Sequence, residues 1–192
     1  EYGQNFSPIS NSGKFIIYVN NENVEMKNFM KKTNAMRILD SMKIPYEAKE
    51  YDDDEEHALE LGAAGRTAEK LGIPPESVFK TIVMRTDSKE ICVFCQNALS
   101  KINLKKARNV SGAKEINPVK PDELLSLTGY VRGGCSPLGM KRQFRTFIDS
   151  SALNLEKICV SAGVRGIQLI LSPADLIKAS NAEPCDLILQ QE

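Results

Sequence analysis

Apolar residues recur at helical spacing after Thr33, as Ala35, Ile38, Leu39 and Met42, and Thr33 stands where its hydroxyl can accept a bond from an early backbone N–H. Pro45 disfavours helical geometry at the residue before it, so this helix ends upstream and the chain runs extended over 46–51. A second helix is predicted through Leu61, Ala64, Ala68 and Leu71; Gly62 and Gly65 weaken its start and Gly72 ends it in the position that favours a left-handed residue. Beyond the Pro74-Pro75 corner, residues 78–85 and 91–96 are β-branched and apolar and flank Asp87-Ser88, which predicts a hairpin. Further strands are expected at 146–149, 157–161 and 166–171. Ser172-Pro173-Ala174-Asp175 then opens a last helix that runs through Ala179, with Ser at the cap, Pro in the first turn and Asp at the positive end of the dipole.

Residues 1–25 have a different texture, rich in Asn and Ser around the apolar run 15–19, which is either one edge strand or part of an appendage. Strand pairs and short helices interleave without a regular strand–helix–strand repeat. The predicted fold is therefore α+β: a single domain over residues 26–192, with a mostly antiparallel, barrel-like sheet surrounded by helices, and 1–25 as an appendage of unassigned role.

Composition narrows the function. In 192 residues, 25 Lys plus Arg balance 25 Asp plus Glu, so a nucleic-acid binder held only by a phosphate field is excluded and any RNA contact must be local. No stretch approaches the roughly 18 consecutive apolar residues of a membrane span, and no basic segment leads into an apolar run at the start. The expectation is a cytoplasmic protein with neither membrane nor DNA as partner. Five scattered cysteines in a chain of this size suggest reduced thiols rather than a disulfide framework.

Standard catalytic sets fail early. His57 is the one histidine and directly follows the acidic run 52–56, in an acidic turn that suits a surface histidine better than a triad. Cys92 and Cys95 have redox-motif spacing, but three residues apart on a strand they face opposite ways, and no second cysteine pair completes a zinc site. No metal, cofactor or phosphate-cradling loop is expected. Three features remain. Lys80 shares a strand face with Val78, Ile82 and Met84, so either its stem packs while its ammonium reaches water, or the ammonium grips a ligand oxygen in a cavity. GYVRGGCSPLG, residues 129–139, is either a mobile connection or a packed loop whose amides face an anion or oxyanion. Ser161, Ala162 and Gly163 with Arg165 and Gly166 form either a tight hairpin or a hydroxyl with a bidentate phosphate fork.

VFKTIV at 78–83, GYVRGGCSPLG at 129–139 and VSAGVRGIQL at 160–169, extended by KTNAMRILD at 32–40 and SPADLI at 172–177, resemble the YbaK/EbsC family of aminoacyl-tRNA deacylases over about residues 32–180. The resemblance implies a mixed α/β domain around an antiparallel, barrel-like sheet, related to the editing domain of bacterial prolyl-tRNA synthetases. It implies trans-editing, the hydrolysis of the ester joining a wrong amino acid to tRNA, most often cysteine on the proline tRNA. Synthetase pockets separate small side chains by only a few kcal/mol, so a second site must remove what the first admits. Alternatives are a deacylase for another small amino acid, such as Ala-tRNA(Pro), and a noncatalytic tRNA- or synthetase-binding module.

By the same resemblance Lys80 is the central active-site residue, with Gly133 and Gly134 supplying backbone N–H groups to the negative oxygen. The resemblance also implies Tyr51, Thr81 and Ser161 as substrate contacts, and Ser136, Arg165 and Gln168 complete the expected set. Gln168 stands where many relatives carry Asp, and Cys135 where they commonly carry an aliphatic residue, so Cys135 is not assigned as nucleophile. Aminoacylated tRNA is the implied partner, with prolyl-tRNA synthetase a candidate second one. Lys101, Lys105, Lys106 and Arg108, and Lys141, Arg142 and Arg145, are basic clusters that either follow the acceptor stem or are solvated faces.

Overall fold

The computed structural model describes residues 7–11, 15–19, 24–28, 31–52 and 63–189. The chain divides into two compact units, Glu1–Lys32 and Thr33–Glu192. In the first, β1 (Ser7–Asn11), β2 (Phe15–Val19) and β3 (Val24–Asn28) form an antiparallel sheet. The apolar run at 15–19 is thus a strand, but the central one and not an edge. Its flanking segments are too polar to announce strands, yet their backbone groups pair with it on both sides.

In the second unit α1 (Asn34–Ser41) begins where predicted, the Thr33 hydroxyl accepting from the Met36 amide at 3.3 Å, and it buries Ala35, Met36 and Leu39. The extended stretch becomes β4 (Glu47–Glu50), and α2 (Ala63–Leu71) ends at Gly72 with φ +64°. The acidic run beyond Asp52, and His57 with it, lie outside the described residues. A 3-10 turn at Pro75–Ser77 leads into β5 (Phe79–Thr86), which pairs with β6 (Ile91–Asn97) as an antiparallel hairpin. Then follow α3 (Leu104–Ser111), β7 (Ile116–Pro118), α4 (Pro121–Thr128), β8 (Arg145–Asp149), β9 (Ile158–Ser161), β10 (Ile167–Leu171), α5 (Pro173–Ser180) and β11 (Ala182–Cys185). The α5 cap is the predicted one, with the Ser172 hydroxyl accepting from the Asp175 amide at 3.1 Å.

The strands of this unit make a three-stranded sheet, ordered β4-β10-β9, and a five-stranded sheet, ordered β11-β8-β6-β5-β7. An isolated parallel bridge, Val78 to Cys159, links them. The α+β class holds, but the sheet is not closed into a barrel: β4 and β9 each end their sheet, as do β11 and β7. Most pairs are antiparallel; β8 is the exception, running parallel to both β6 and β11. The long excursion from β6 to β8, through two helices and the glycine-rich loop, is what allows a parallel return.

Two apolar clusters hold these sheets. One face of the hairpin packs Met84, Cys92 and Phe94 with Ala107, Ile116, Phe147 and Leu187, and the Phe94 and Phe147 rings stack at 5.1 Å. The other cluster joins Ala68 and Leu71 of α2 to Val78, Cys159 and Ile170, with Tyr51, Ile73 and Ala98 against them. Each fully buried large side chain of this kind contributes about 1.5–3 kcal/mol. Among the described residues no helix is long and apolar enough to cross a membrane.

Candidate functional site

Lys80 lies half-buried on β5, directly opposite Gln96 of β6. Its Nζ donates to Ser100 O at 2.8 Å and Ala98 O at 3.2 Å, both on the turn that leaves β6. Burial lowers its pKa, because the charged form loses solvation. The turn is itself rigidly built: Ala98 N donates to Val78 O at 2.8 Å, Leu99 N to Asn97 Oδ1 at 2.9 Å, and the Asn97 amide to Glu76 O. The ammonium therefore neither floats in water nor meets a carboxylate. It rests on neutral carbonyls, and two of its three donors are occupied.

Ala98 also packs against the cluster that holds Tyr51 and Cys159. On that sheet Gln168 pairs with Ser161 on one side and Lys49 on the other. Its Nε2 donates to the Tyr51 hydroxyl at 3.4 Å, and the Cys159 thiol donates to its Oε1 at 3.8 Å. Tyr51, Ser161 and Gln168 are thus brought together. Gln168 is buried and uncharged, so this cluster offers dipoles where an aspartate would offer a negative charge.

The 129–139 loop is packed against its neighbours at Tyr130, Gly134 and Leu138. Gly129 caps α4 in the left-handed region at φ +84°. Tyr130 is buried, its hydroxyl donating to Leu138 O at 2.7 Å, and its ring lies so close to Gly163 that a Cβ there would stand 2.6 Å from Cε1. Gly134 is equally tight against the 162–166 turn, a Cβ meeting Arg165 N at 2.9 Å. Arg165 Nε donates to Arg132 O at 2.9 Å. Loop and hairpin turn therefore interlock through small residues and one guanidinium.

The expected amides separate at this point. Gly134 N donates to Val131 O at 3.0 Å and is spent within its turn. Gly133 sits exposed at φ +86°, and its amide has no hydrogen-bond partner among the described residues. Ser136 is fully buried, its hydroxyl accepting from Leu138 N at 3.3 Å, and the Ser161 hydroxyl accepts from Gly163 N at 3.2 Å. Both hydroxyls shape turns.

Thr81 takes the opposite face of β5 from Lys80 and stands across from Cys95. Burial pushes the Cys95 and Cys135 thiols up to about 12, and Cys159 and Cys185 likewise, with Cys92 at about 11. None is poised as a nucleophile. Sequence reasoning passed over Gln96 and the Ala98 and Ser100 carbonyls. The amide that follows the apolar run ICVFC was the available signal for Gln96; the carbonyls leave none, since every residue has one.

Residues 61–179 match the aminoacyl-tRNA editing domain family. The chain is 35% identical over 165 residues to an Enterococcus faecalis protein named "Putative Cys-tRNA(Pro)/Cys-tRNA(Cys) deacylase EbsC", covering 86% of this chain and 98% of that one. It is 28% identical over 97 residues to a proline–tRNA ligase of Lactobacillus gasseri, covering 50% of this chain and 17% of the ligase. A crystal structure titled "a putative trans-editing enzyme for prolyl tRNA synthetase" superposes with a TM-score of 0.72 at 18% identity, covering 82% of this chain and 96% of that one, a likeness of fold. With more than half its length matched and a near-complete relative at this identity, the chain belongs to the aminoacyl-tRNA editing domain family.

Proposed function

We propose that this protein is a cytoplasmic trans-editing hydrolase that cleaves the ester of a mischarged tRNA, cysteine on the proline tRNA being the favoured substrate. The observation that carries this reading is Lys80: a partly desolvated ammonium, held on two neutral carbonyls and with one donor unassigned, inside the family-matched region. Such a cation can meet a phosphate or ester oxygen without first breaking an ion pair. The open Gly133 amide supplies a donor for the developing oxyanion. An aminoacyl ester is already activated, so no side-chain base is required. The substrate thiol, or a bound water, attacks the ester carbonyl; the tetrahedral oxygen takes the negative charge; the ribose oxygen then leaves and regains a proton. If the thiol attacks, a cyclic thioester forms first and water opens it.

Residues 1–25 stand outside this chemistry as an appendage. Lys101 and Lys105, exposed on the segment just past the Lys80 carbonyls, suit the phosphates of the acceptor stem, and prolyl-tRNA synthetase suits a partner that supplies tRNA identity to a chain with no net charge.

Deacylation assays with Cys-, Ala- and Ser-charged tRNA, with and without the synthetase, test the reading. Lys80→Ala and Gly133→Ala are each expected to slow Cys-tRNA(Pro) cleavage about 100- to 1000-fold, the usual loss for an oxyanion donor. Alanine is strained at the Gly133 φ and displaces the amide. Near-normal rates in both variants rule the mechanism out.

A further inference from the structure

The hairpin register sets Lys80 and Gln96 side by side on one face of the sheet. Both donate to the same atom, Ser100 O, Nζ at 2.8 Å and Nε2 at 2.9 Å. Gln96 is fully buried, and its Oε1, closed off from solvent, accepts nothing among the described residues. An amide oxygen sealed away without a donor is unfavourable, and the five β6 residues before it, Ile91 to Cys95, are apolar. The ammonium that shares Ser100 O with this amide has one N–H beyond the two spent on Ala98 O and Ser100 O.

We propose that Gln96 is a positioning residue for Lys80: its amide nitrogen steadies the carbonyl on which the ammonium rests, and its unused oxygen gives the ammonium a second seat when a substrate oxygen draws it off the turn. This rests on the assignment of Lys80 as the residue that meets substrate. Since burial is the sole perturbation of Lys80, with no neighbouring charge contributing, these neutral acceptors are what compensate the ammonium. Changing them must therefore show in the lysine itself.

The test titrates the Lys80 side chain by NMR in the free, full-length protein and follows Cys-tRNA(Pro) cleavage against pH, in wild type, Gln96→Met and Gln96→Glu. Met keeps the length of Gln but neither donates nor accepts strongly. It is expected to move the Lys80 titration to lower pH, bring the alkaline limb of the rate profile down with it, and cost about tenfold in rate, one hydrogen bond's worth. Glu places a carboxylate beside the ammonium and is expected to move both upward. In a Lys80→Ala background Gln96→Met should cost nothing more. An unmoved Lys80 titration in the Glu variant, or an equal rate loss with and without the lysine, overturns the proposal. If Gln96→Met does not fold, the Glu titration decides alone. If wild type cleaves no aminoacyl-tRNA, the ester reading fails, and the Lys80 titration still judges Gln96.

Discussion

At the scale of single residues, the molecule separates groups that bear charge from groups kept neutral. Burial lowers the pKa of Lys80, the lysine of the candidate site, and two carbonyls of a stiff turn accept from its Nζ. The thiols are treated oppositely. With their pKa pushed from 9.0 to about 11 or 12, thiolate near neutrality is scarcer by about a hundred- to a thousandfold than for an ordinary cysteine. Iodoacetamide at pH 8 is therefore expected to leave the folded protein almost unmodified and to label all five cysteines after denaturation. Rapid labelling of Cys135 in the native state would reopen its candidacy as a nucleophile. Gly163 makes a separate residue-scale prediction. At φ +96°, with the Tyr130 ring in the way, alanine there should destabilise the fold by about 1–3 kcal/mol in a urea titration. An unchanged midpoint would mean that loop and turn are not interlocked.

At the scale of elements, the decisive one is the β5–β6 hairpin. A two-residue turn at Asp87-Ser88 would set Lys80 opposite Cys95. The connection instead takes in Lys89 at φ +67°, the Lys89 amide donating to Thr86 O at 2.9 Å, and Lys80 faces Gln96. One residue of slip separates a lysine beside a thiol from a lysine beside an amide. The presence of this hairpin was legible from its apolar runs; its register depended on a left-handed lysine that no turn propensity announces.

The segment through α3 makes the other prediction at this scale. Residues 98–114 carry Lys101, Lys105, Lys106, Arg108 and Lys114 without a carboxylate, and among the described residues only Lys106 of these is drawn into an ion pair, with Asp186 at 2.7 Å. Reversing Lys101 and Lys105 to Glu is expected to lower kcat/KM on charged tRNA about tenfold at low salt and to flatten its salt dependence. Cleavage of a minimal aminoacyl-adenosine should be unaffected. Equal losses on both substrates would place the effect in catalysis and not in RNA docking.

At the scale of the whole molecule, buried acids that stay protonated give stability a direction in pH. The five thiols, and Tyr130 at about 12, have folded pKa values above their unfolded ones, so each holds its proton more tightly when folded. Their contribution is complete below about pH 9 and is lost as pH rises through 11 to 12. Lys80, lowered by burial, acts the other way, since raising the pH relieves the penalty on its charge. One half-buried lysine does not offset six groups. Urea midpoints are therefore expected to stay level from pH 7 to about 9 and fall above it, less steeply in a Cys95→Ala, Cys159→Ala double variant. A midpoint that holds to pH 11 contradicts this balance of burial.

Local chemistry written along the chain determined what needs only near neighbours: the Thr33 and Ser172 caps, the Gly72 stop, the apolar runs of β5, β6, β9 and β10, and the residue motifs that carry the family. These follow from hydrogen bonds and spacings spanning a few positions. Tertiary structure alone decided that 15–19 is a central strand, that β8 runs parallel to its neighbours without closing a barrel, that the Gly134 amide is consumed while that of Gly133 is open, and which carbonyls receive Lys80. Each of those outcomes turns on backbone groups, which are alike in every residue until the fold assigns their partners.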